Sequence, residues 1–454
     1  MTEVLRYRAL MVSGSIDRAV LHLGAPAAMA ALLQAGFLVV DTFWLGRVGP
    51  VALAAASTAG FTMWLAQTLG EGAAAGSGAV LARAVGADDP VGARRSASAG
   101  LNLGVWSAAL VSAVGLLASH ATFVFMGTDA LVTEAGMRYM LVIFAGMPLY
   151  FLFAWLQAAF RAVGDARTPL RLLAAAAGVN LVADPVLIFG AGPLPPLGVT
   201  GAALATSLAW LVAAARGWVL LGRLGVRPVV LDLVRPPLAE TWRAIRVGFP
   251  LAMEGALFSL IYIFLTRVVT SFGTPAVAAL GVGHKLEVLN YFVCAGMGAA
   301  ATTLVGQNLG AGERGRAVRC AWRALFITCL PVGAVTLLLV TFPEAAVRVF
   351  SNDSEVVAAG ATYVLLVGMT QLFMAAEVVM LGAFAGAHWT GVPAATVVAL
   401  TAVRVPLAGW LVAGGWGVEA VWFAIASTTV IKGTLLAALF GLRYGRGSQL
   451  RVKG

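Results

Sequence analysis

The chain has 454 residues, 60% of them hydrophobic and only 11% charged, with a formal net charge of +10 and mean hydropathy +0.92. A water-soluble domain carries about 25% charged residues, so a soluble enzyme or binding module is excluded and most of the chain must be solvated by lipid or by itself. The positive balance is not a nucleic-acid signature, because the basic residues sit in short segments between apolar runs, as in the cytoplasmic loops of membrane proteins.

In chain order, apolar runs near the length of about 20 residues that crosses a bilayer as a helix recur throughout. None shows the alternation of a membrane barrel strand. They predict an all-α polytopic membrane protein with twelve transmembrane helices. The first six fall at 19–45, 51–82, 95–119, 133–160, 169–190 and 198–221, and the second six at 243–271, 276–308, 317–342, 356–386, 392–413 and 418–441. The first run is too long for a cleavable signal peptide. The polar, arginine-bearing stretch from Gly222 to Thr241, with Pro228, Pro236 and Pro237, is the natural junction. It divides the chain into an N-terminal lobe (1–222), a cytoplasmic linker (223–241) and a C-terminal lobe (242–454). Cys294, Cys320 and Cys329 lie in or beside apolar segments without metal spacing and read as small packing residues.

The two sets are copies. Pro26 and Pro250, Met29 and Met253, Gly49 and Gly273, Gly86 and Gly310, Tyr139 and Tyr363, and Pro169 and Pro393 are all 224 residues apart. A slip of five appears only near the sixth span, where Gly198 matches Gly417. Six spans separate the copies, so both enter the membrane from the same side, as parallel repeats about an axis along the membrane normal. Of the 30 Lys and Arg residues, 23 fall on the side of the termini and only Arg47, Arg138 and Arg348 on the other. Both termini are therefore expected in the cytoplasm of a cell with this chain in its inner membrane.

Charge inside a span is costly, about 3 kcal/mol at mid-bilayer on insertion scales. In the first half Asp41 interrupts the run from Phe37 to Trp44, and Asn180 and Asp184 interrupt the run from Gly178 to Gly190, with Glu71 in a small-residue-rich span. Asn180 and Asp184 are four apart and share a helix face, and Pro185 cannot donate to the carbonyl of Leu181. The spans of Asp41 and Asp184 offer no Lys or Arg at membrane depth, Arg171 standing at a span end, and an unpaired buried carboxylate resolves its cost by taking a proton or a cation. In the second half stand Glu254, Arg267, His284, Lys285, Glu287, Glu377, Arg404 and Lys432. Arg267, Glu419 and Lys432 read equally as snorkelling groups or local ion pairs, and His284-Lys285-x-Glu287 as a self-neutralising cluster. At the 224 offset Asn180 and Asp184 correspond to Arg404 and Ala408, so this chemistry is not repeated.

These residues carry a resemblance. Pro26 with Asp41-Thr42, the loop Gly86-Ala-Asp-Asp-Pro-x-x-Ala93 and its echo Gly310-Ala-Gly-Glu-Arg, Asn180-x-x-x-Asp184-Pro185, and Gly198-x-x-Gly-Ala-Ala-x-Ala-Thr206 resemble the multidrug and toxic compound extrusion (MATE) exporters over nearly the whole chain. The branch called DinF, with an aspartate in the first span, is the most similar. The resemblance implies two six-helix lobes around a cleft with alternating access. It also implies export of amphipathic, often cationic small molecules, driven by an inward H⁺ or Na⁺ gradient, with no cofactor and no catalytic residue. Carried over, the coupling site would use Asp41, Asn180, Asp184, Thr206 and the Ala202 carbonyl, all hard oxygen ligands that suit Na⁺ and equally suit a shared proton. Tyr139 would line the same cavity, and a bend at Pro26 would link ion occupancy to the drug cavity. Other branches use acids of the seventh and tenth spans, where Glu254 and Glu377 stand here, so which lobe couples stays open; His284, Glu287 and Arg404 accompany them. Promiscuous binding calls for an apolar, aromatic cavity, for which Phe37, Trp44, Phe61, Met63, Trp64, Phe151, Phe153 and Trp155 are available, ordinary packing being the alternative for each. A monomer without nucleic-acid partners is expected, in contact with the lipid bilayer. The rival is a lipid-linked oligosaccharide flippase of the same superfamily, with Arg267, Lys285 and Arg404 facing a pyrophosphate. No metal spacing, nucleophile elbow or phosphate loop supports a membrane enzyme, and the duplicated lobes with their buried acids argue against a channel or receptor.

Overall fold

The computed structural model describes residues 2–445. A short helix, α1 (Thr2–Val12), precedes six long ones: α2 (Ile16–Val48), α3 (Pro50–Gly86), α4 (Pro90–Phe125), α5 (Ala130–Val163), α6 (Arg167–Phe189) and α7 (Val199–Leu221). The second lobe comprises α8 (Leu238–Thr270), α9 (Thr274–Gly310), α10 (Arg314–Thr341), the short α11 (Pro343–Arg348), α12 (Ser354–Gly368), α13 (Gln371–Gly386), α14 (Gly391–Ala402), α15 (Arg404–Ala413) and α16 (Glu419–Tyr444). Among the described residues ten helical segments are long and apolar enough to span a membrane, α14 and α15 forming one of them. An eleventh is the pair α12 and α13, bent by 51°. The remaining expected span is α3, whose 37 residues are dominated by Ala, Gly, Ser and Thr. Small residues are less apolar than Leu or Ile, but they let backbones approach closely.

Two expected single spans are broken, for different reasons. Pro406 lacks an N–H and its ring clashes with the carbonyl four residues back, at Ala402, where α14 ends. Between α12 and α13 there is no proline. Here the Val367 carbonyl accepts from the Thr370 N–H in a tighter turn (3.0 Å), and from the Thr370 hydroxyl (2.7 Å) and the Gln371 side-chain amide (3.3 Å) in place of the next helical N–H.

The repeat is written in the backbone. Positive φ occurs at Gly49 and Gly273, at Asp88 and Gly312, and at Gly164 and His388, each pair 224 residues apart. Asp88 and His388 are the non-glycine residues at such positions, and Asp and His tolerate the left-handed region better than most.

The lobes meet along α2, α3, α8 and α9, again with near two-fold symmetry. A Cβ on Gly86 would collide with the Gln307 carbonyl, and one on Gly310 with that of Arg83; Gly72 lies against Ala252 as Gly296 lies against Ala28. These contacts lie in the halves of the helices nearer the termini side. α1 straddles the same seam: Arg8 donates to the Gly86 carbonyl at 3.1 Å, and the Met11 carbonyl accepts from Asn308 at 3.2 Å and from Arg316. Arg323 closes an ion pair with Asp17. The segment joining the lobes is anchored to α4, where Ser98 accepts from the Val229 amide and Asn102 donates to the Asp232 and Leu233 carbonyls.

Candidate functional site

In the N-terminal lobe α2 and α6 pack together and α7 packs on α6. Gly201 allows the last approach, its face lying on the Leu187 carbonyl. This brings Asp41 of α2 onto Asn180 and Asp184 of α6. The Asn180 amide donates to Asp184 Oδ1 at 3.1 Å, and Asp41 lies within hydrogen-bonding reach of both. All three are buried, as are Tyr139, Ala202 and Thr206. Tyr139 lies close enough to feel both carboxylates. Asp41 Oδ1, Asp184 Oδ2 and Thr206 Oγ1 are buried without a hydrogen-bond partner among the described residues. Two carboxylates in contact cannot both be ionised cheaply. Their unpartnered oxygens, with the Asn180 amide between them, form a donor set that fits a proton or a small hard monovalent cation. Asp41 stands about 10 Å from the C-terminal end of α2, at 1.5 Å per residue. Glu71 is separate from this set: it lies within α3, and Tyr150 donates to it at 3.1 Å.

The C-terminal lobe holds a different arrangement. Lys432 Nζ lies 2.7 Å from Glu377 Oε1 and 3.3 Å from Thr401 Oγ1. Arg404 donates to Thr428 and Tyr262, both at 2.8 Å, and to Thr429 at 2.9 Å. Glu287 accepts from Tyr363 and Gln371, both at 2.9 Å. Glu254 is half-buried on α8, within electrostatic range of Glu377 and Lys432. The ring of His284 lies 5.0 Å from that of Tyr262 and 6.1 Å from that of Tyr363, its Nε2 buried and unpartnered. His284 and Glu287 therefore do not form a self-neutralising pair with Lys285, which is exposed beside the Phe350 ring. Sequence reasoning missed Tyr262, Thr401, Thr428, Thr429, and the amides Asn290 and Gln371, the first of which donates to the second at 3.4 Å. Two amides in apolar runs and the Thr428-Thr429 pair were the available signal.

The aromatic candidates divide. Trp64 is 45% exposed, Phe37, Trp44 and Met63 are half-buried, and Pro26 sits half-buried inside α2. Phe153, Phe151 and Trp155 are almost completely buried in the packing of the lobe. Phe153 is thus corrected from cavity lining to core: its face of α5 is filled by neighbouring side chains. The Phe61 side chain lies outside the described residues.

Two duplicated helical lobes meeting at a central seam, each with ionisable groups buried at membrane depth, define a polytopic membrane transporter of the parallel-repeat class. The chain belongs to the MatE family, whose model matches residues 26–186 and 250–410. The second match begins and ends 224 residues after the first. The chain is 27% identical to the "Multidrug resistance protein NorM" of Burkholderia vietnamiensis over 430 residues, covering 93% of each chain. It is 28% identical to the "FAD transporter" of Shewanella oneidensis over 359 residues, covering 78% of this chain and 79% of that one. Among solved structures it shares the fold of a MATE protein in the bent conformation, with TM-score 0.88 and 22% identity over 98% of both chains.

Proposed function

We infer that this protein is a secondary active multidrug exporter of the inner membrane, with both termini cytoplasmic, working as a monomer by alternating access. It moves amphipathic, often cationic compounds outward in exchange for H⁺ or Na⁺ moving inward. The N-terminal lobe (1–222) carries the coupling site, the segment 223–241 links it to the C-terminal lobe (242–454), and the two lobes rock about the seam of α2, α3, α8 and α9. The observation that carries the reading is the contact of Asp41, Asn180 and Asp184 with one oxygen of each acid unpartnered, and no ion pair to either acid among the described residues. Relatives named as multidrug resistance proteins over almost the full length support the cargo class.

Asp41, Asp184, the Asn180 amide oxygen, Thr206 and the Ala202 carbonyl would hold the incoming ion, in the manner of the DinF branch. Filling the site removes the repulsion between the carboxylates and draws α2 toward α6. Pro26 leaves the His22 carbonyl without its helical partner, which makes a bend of α2 cheap there. A bend moves Phe37 and Trp44 relative to Trp64 on α3 and reshapes the drug cavity, so ion and drug compete. The membrane potential supplies about 2.3 kcal/mol per charge per 100 mV, enough for about a 50-fold gradient per 100 mV of drive. A flippase for pyrophosphate-linked lipids is less well supported: Arg267 and Lys285 are exposed and Arg404 is engaged by three hydroxyls.

The test is efflux of a fluorescent organic cation from vesicles under an imposed pH or sodium gradient. Wild type is expected to respond to one of the two gradients, with Asp41→Asn and Asp184→Asn reduced about 100-fold and Glu254→Gln retaining efflux. Normal efflux by both aspartate variants with loss in Glu254→Gln would move the coupling site to the other lobe.

A further inference from the structure

The C-terminal lobe buries an ammonium group that the exchange of ion for drug does not use. Lys432 projects from the middle of α16 with its side chain 3% exposed, and Glu377 on α13, its partner at 2.7 Å, is 11% exposed. Thr401 of α14 offers a hydroxyl oxygen at 3.3 Å. Glu254 of α8, Arg404 of α15 and Glu287 of α9 are other charged groups in electrostatic range of this ammonium. Arg404 is taken up by hydroxyls and so does not compete for Glu377, and Glu287 is taken up by Tyr363 and Gln371 and so does not compete for the ammonium.

Such a pair is weak evidence for stability, since removing two charges from water costs about as much as their attraction returns, and apolar replacements are often as stable. The near-symmetric frame shows what that replacement looks like. At the offsets relating the lobes, Glu377 corresponds to Phe153 and Lys432 to Ala213, and that pair of positions in the N-terminal lobe is plain core. The C-terminal lobe has instead kept a carboxylate and a hydroxyl, with a second carboxylate in range, around a primary ammonium. Those are the oxygen donors that a small monovalent cation takes. A lysine ammonium is a compact point charge on a flexible stem, able to occupy such a place.

We propose that Lys432 is a tethered counter-cation filling the carboxylate site of the C-terminal lobe, so that this site takes up no exchangeable monovalent cation while the ammonium is present. The lobe thereby stays electrically balanced through the transport cycle, and the number of ions exchanged per drug is set in the other lobe alone. Removing the ammonium vacates a site of Glu377, Thr401 and Glu254 that binds a proton or Na⁺.

This rests on the exporter reading, yet the two fail separately: efflux tests that reading, whereas a difference in bound ions between two variants tests this one. The experiment counts cations bound per chain on the purified full-length protein, protons with a pH indicator and sodium with ²²Na⁺. Lys432→Met is expected to take up one more cation than wild type, and Lys432→Arg the same number. Lys432→Met with Glu377→Gln should return to the wild-type count. The extra ion should also appear when Lys432→Met is placed on the Asp41→Asn, Asp184→Asn background. An unchanged count in folded Lys432→Met overturns the proposal. If that variant does not fold, the Asp41→Asn, Asp184→Asn protein decides it. With Lys432 intact it should bind no cation, and a residual ion lost on Glu377→Gln contradicts the tethered occupant.

Discussion

In the N-terminal lobe Asp41 and Asp184 meet over one amide and leave oxygens unpartnered, while in the C-terminal lobe Glu377 closes on Lys432 and Glu287 on two neutral donors. Arg404 stands where the repeat has Asn180, and Ala408 where it has Asp184. Two lobes descended from one unit thus carry similar numbers of buried acids with different means of neutralising them. A tethered cation is permanent; a proton or sodium ion can leave. On the proposed reading, the acid pair without a cationic side chain is the one that senses the gradient, and the other lobe supplies a fixed partner against which it moves.

The frame common to both lobes can be broken at its symmetric contacts. Gly86→Ala and Gly310→Ala each place a methyl group on a backbone carbonyl of the opposite lobe. Overpacking of this kind costs about 1–3 kcal/mol, and about 1.4 kcal/mol on closure of the seam slows efflux roughly 10-fold. The two variants should lose efflux equally, while Gly104→Ala, where a Cβ meets open space, should not. A loss confined to one of the pair would show that the seam is not symmetric in function.

A smaller effect concerns His388, the counterpart of Gly164 at the edge of the seam nearer the termini. Its imidazole lies within reach of the Ala79 carbonyl of the other lobe, and burial, helped by Arg83 and Arg243, pushes its pKa down to about 4. The unfolded chain, with a histidine pKa near 6.5, binds the proton first as the pH falls. The stabilisation is therefore complete above about 6.5 and is lost progressively toward about 4. The gap in Tm between wild type and His388→Asn should narrow over that window by a few degrees; a gap independent of pH would remove His388 from the seam.

Much of this was legible beforehand. A 224-residue offset through prolines, glycines and tyrosines predicted backbone features that the structure repeats at Asp88 and Gly312. Asn180 and Asp184 announced a shared face by spacing alone. What spacing could not supply was which helix opposes that face, so the contact with Asp41 came only through the resemblance. The C-terminal network was illegible for the same reason: Lys432 and Glu377 are 55 residues apart and meet because α13 and α16 pack together. The α12–α13 break lacks the proline that would have marked it, being made by the side chains of Thr370 and Gln371. Phe153 was misjudged because an aromatic residue in a span looks alike whether it faces a cavity or a neighbour.

The central claim is that the exchangeable cation binds in the N-terminal lobe. Its most direct test is the electrical current of reconstituted protein on a solid-supported membrane, after a jump in proton or sodium concentration. Wild type and Glu254→Gln should carry a gradient-driven current and Asp184→Asn should be silent. Current in Asp184→Asn together with silence in Glu254→Gln would contradict the account.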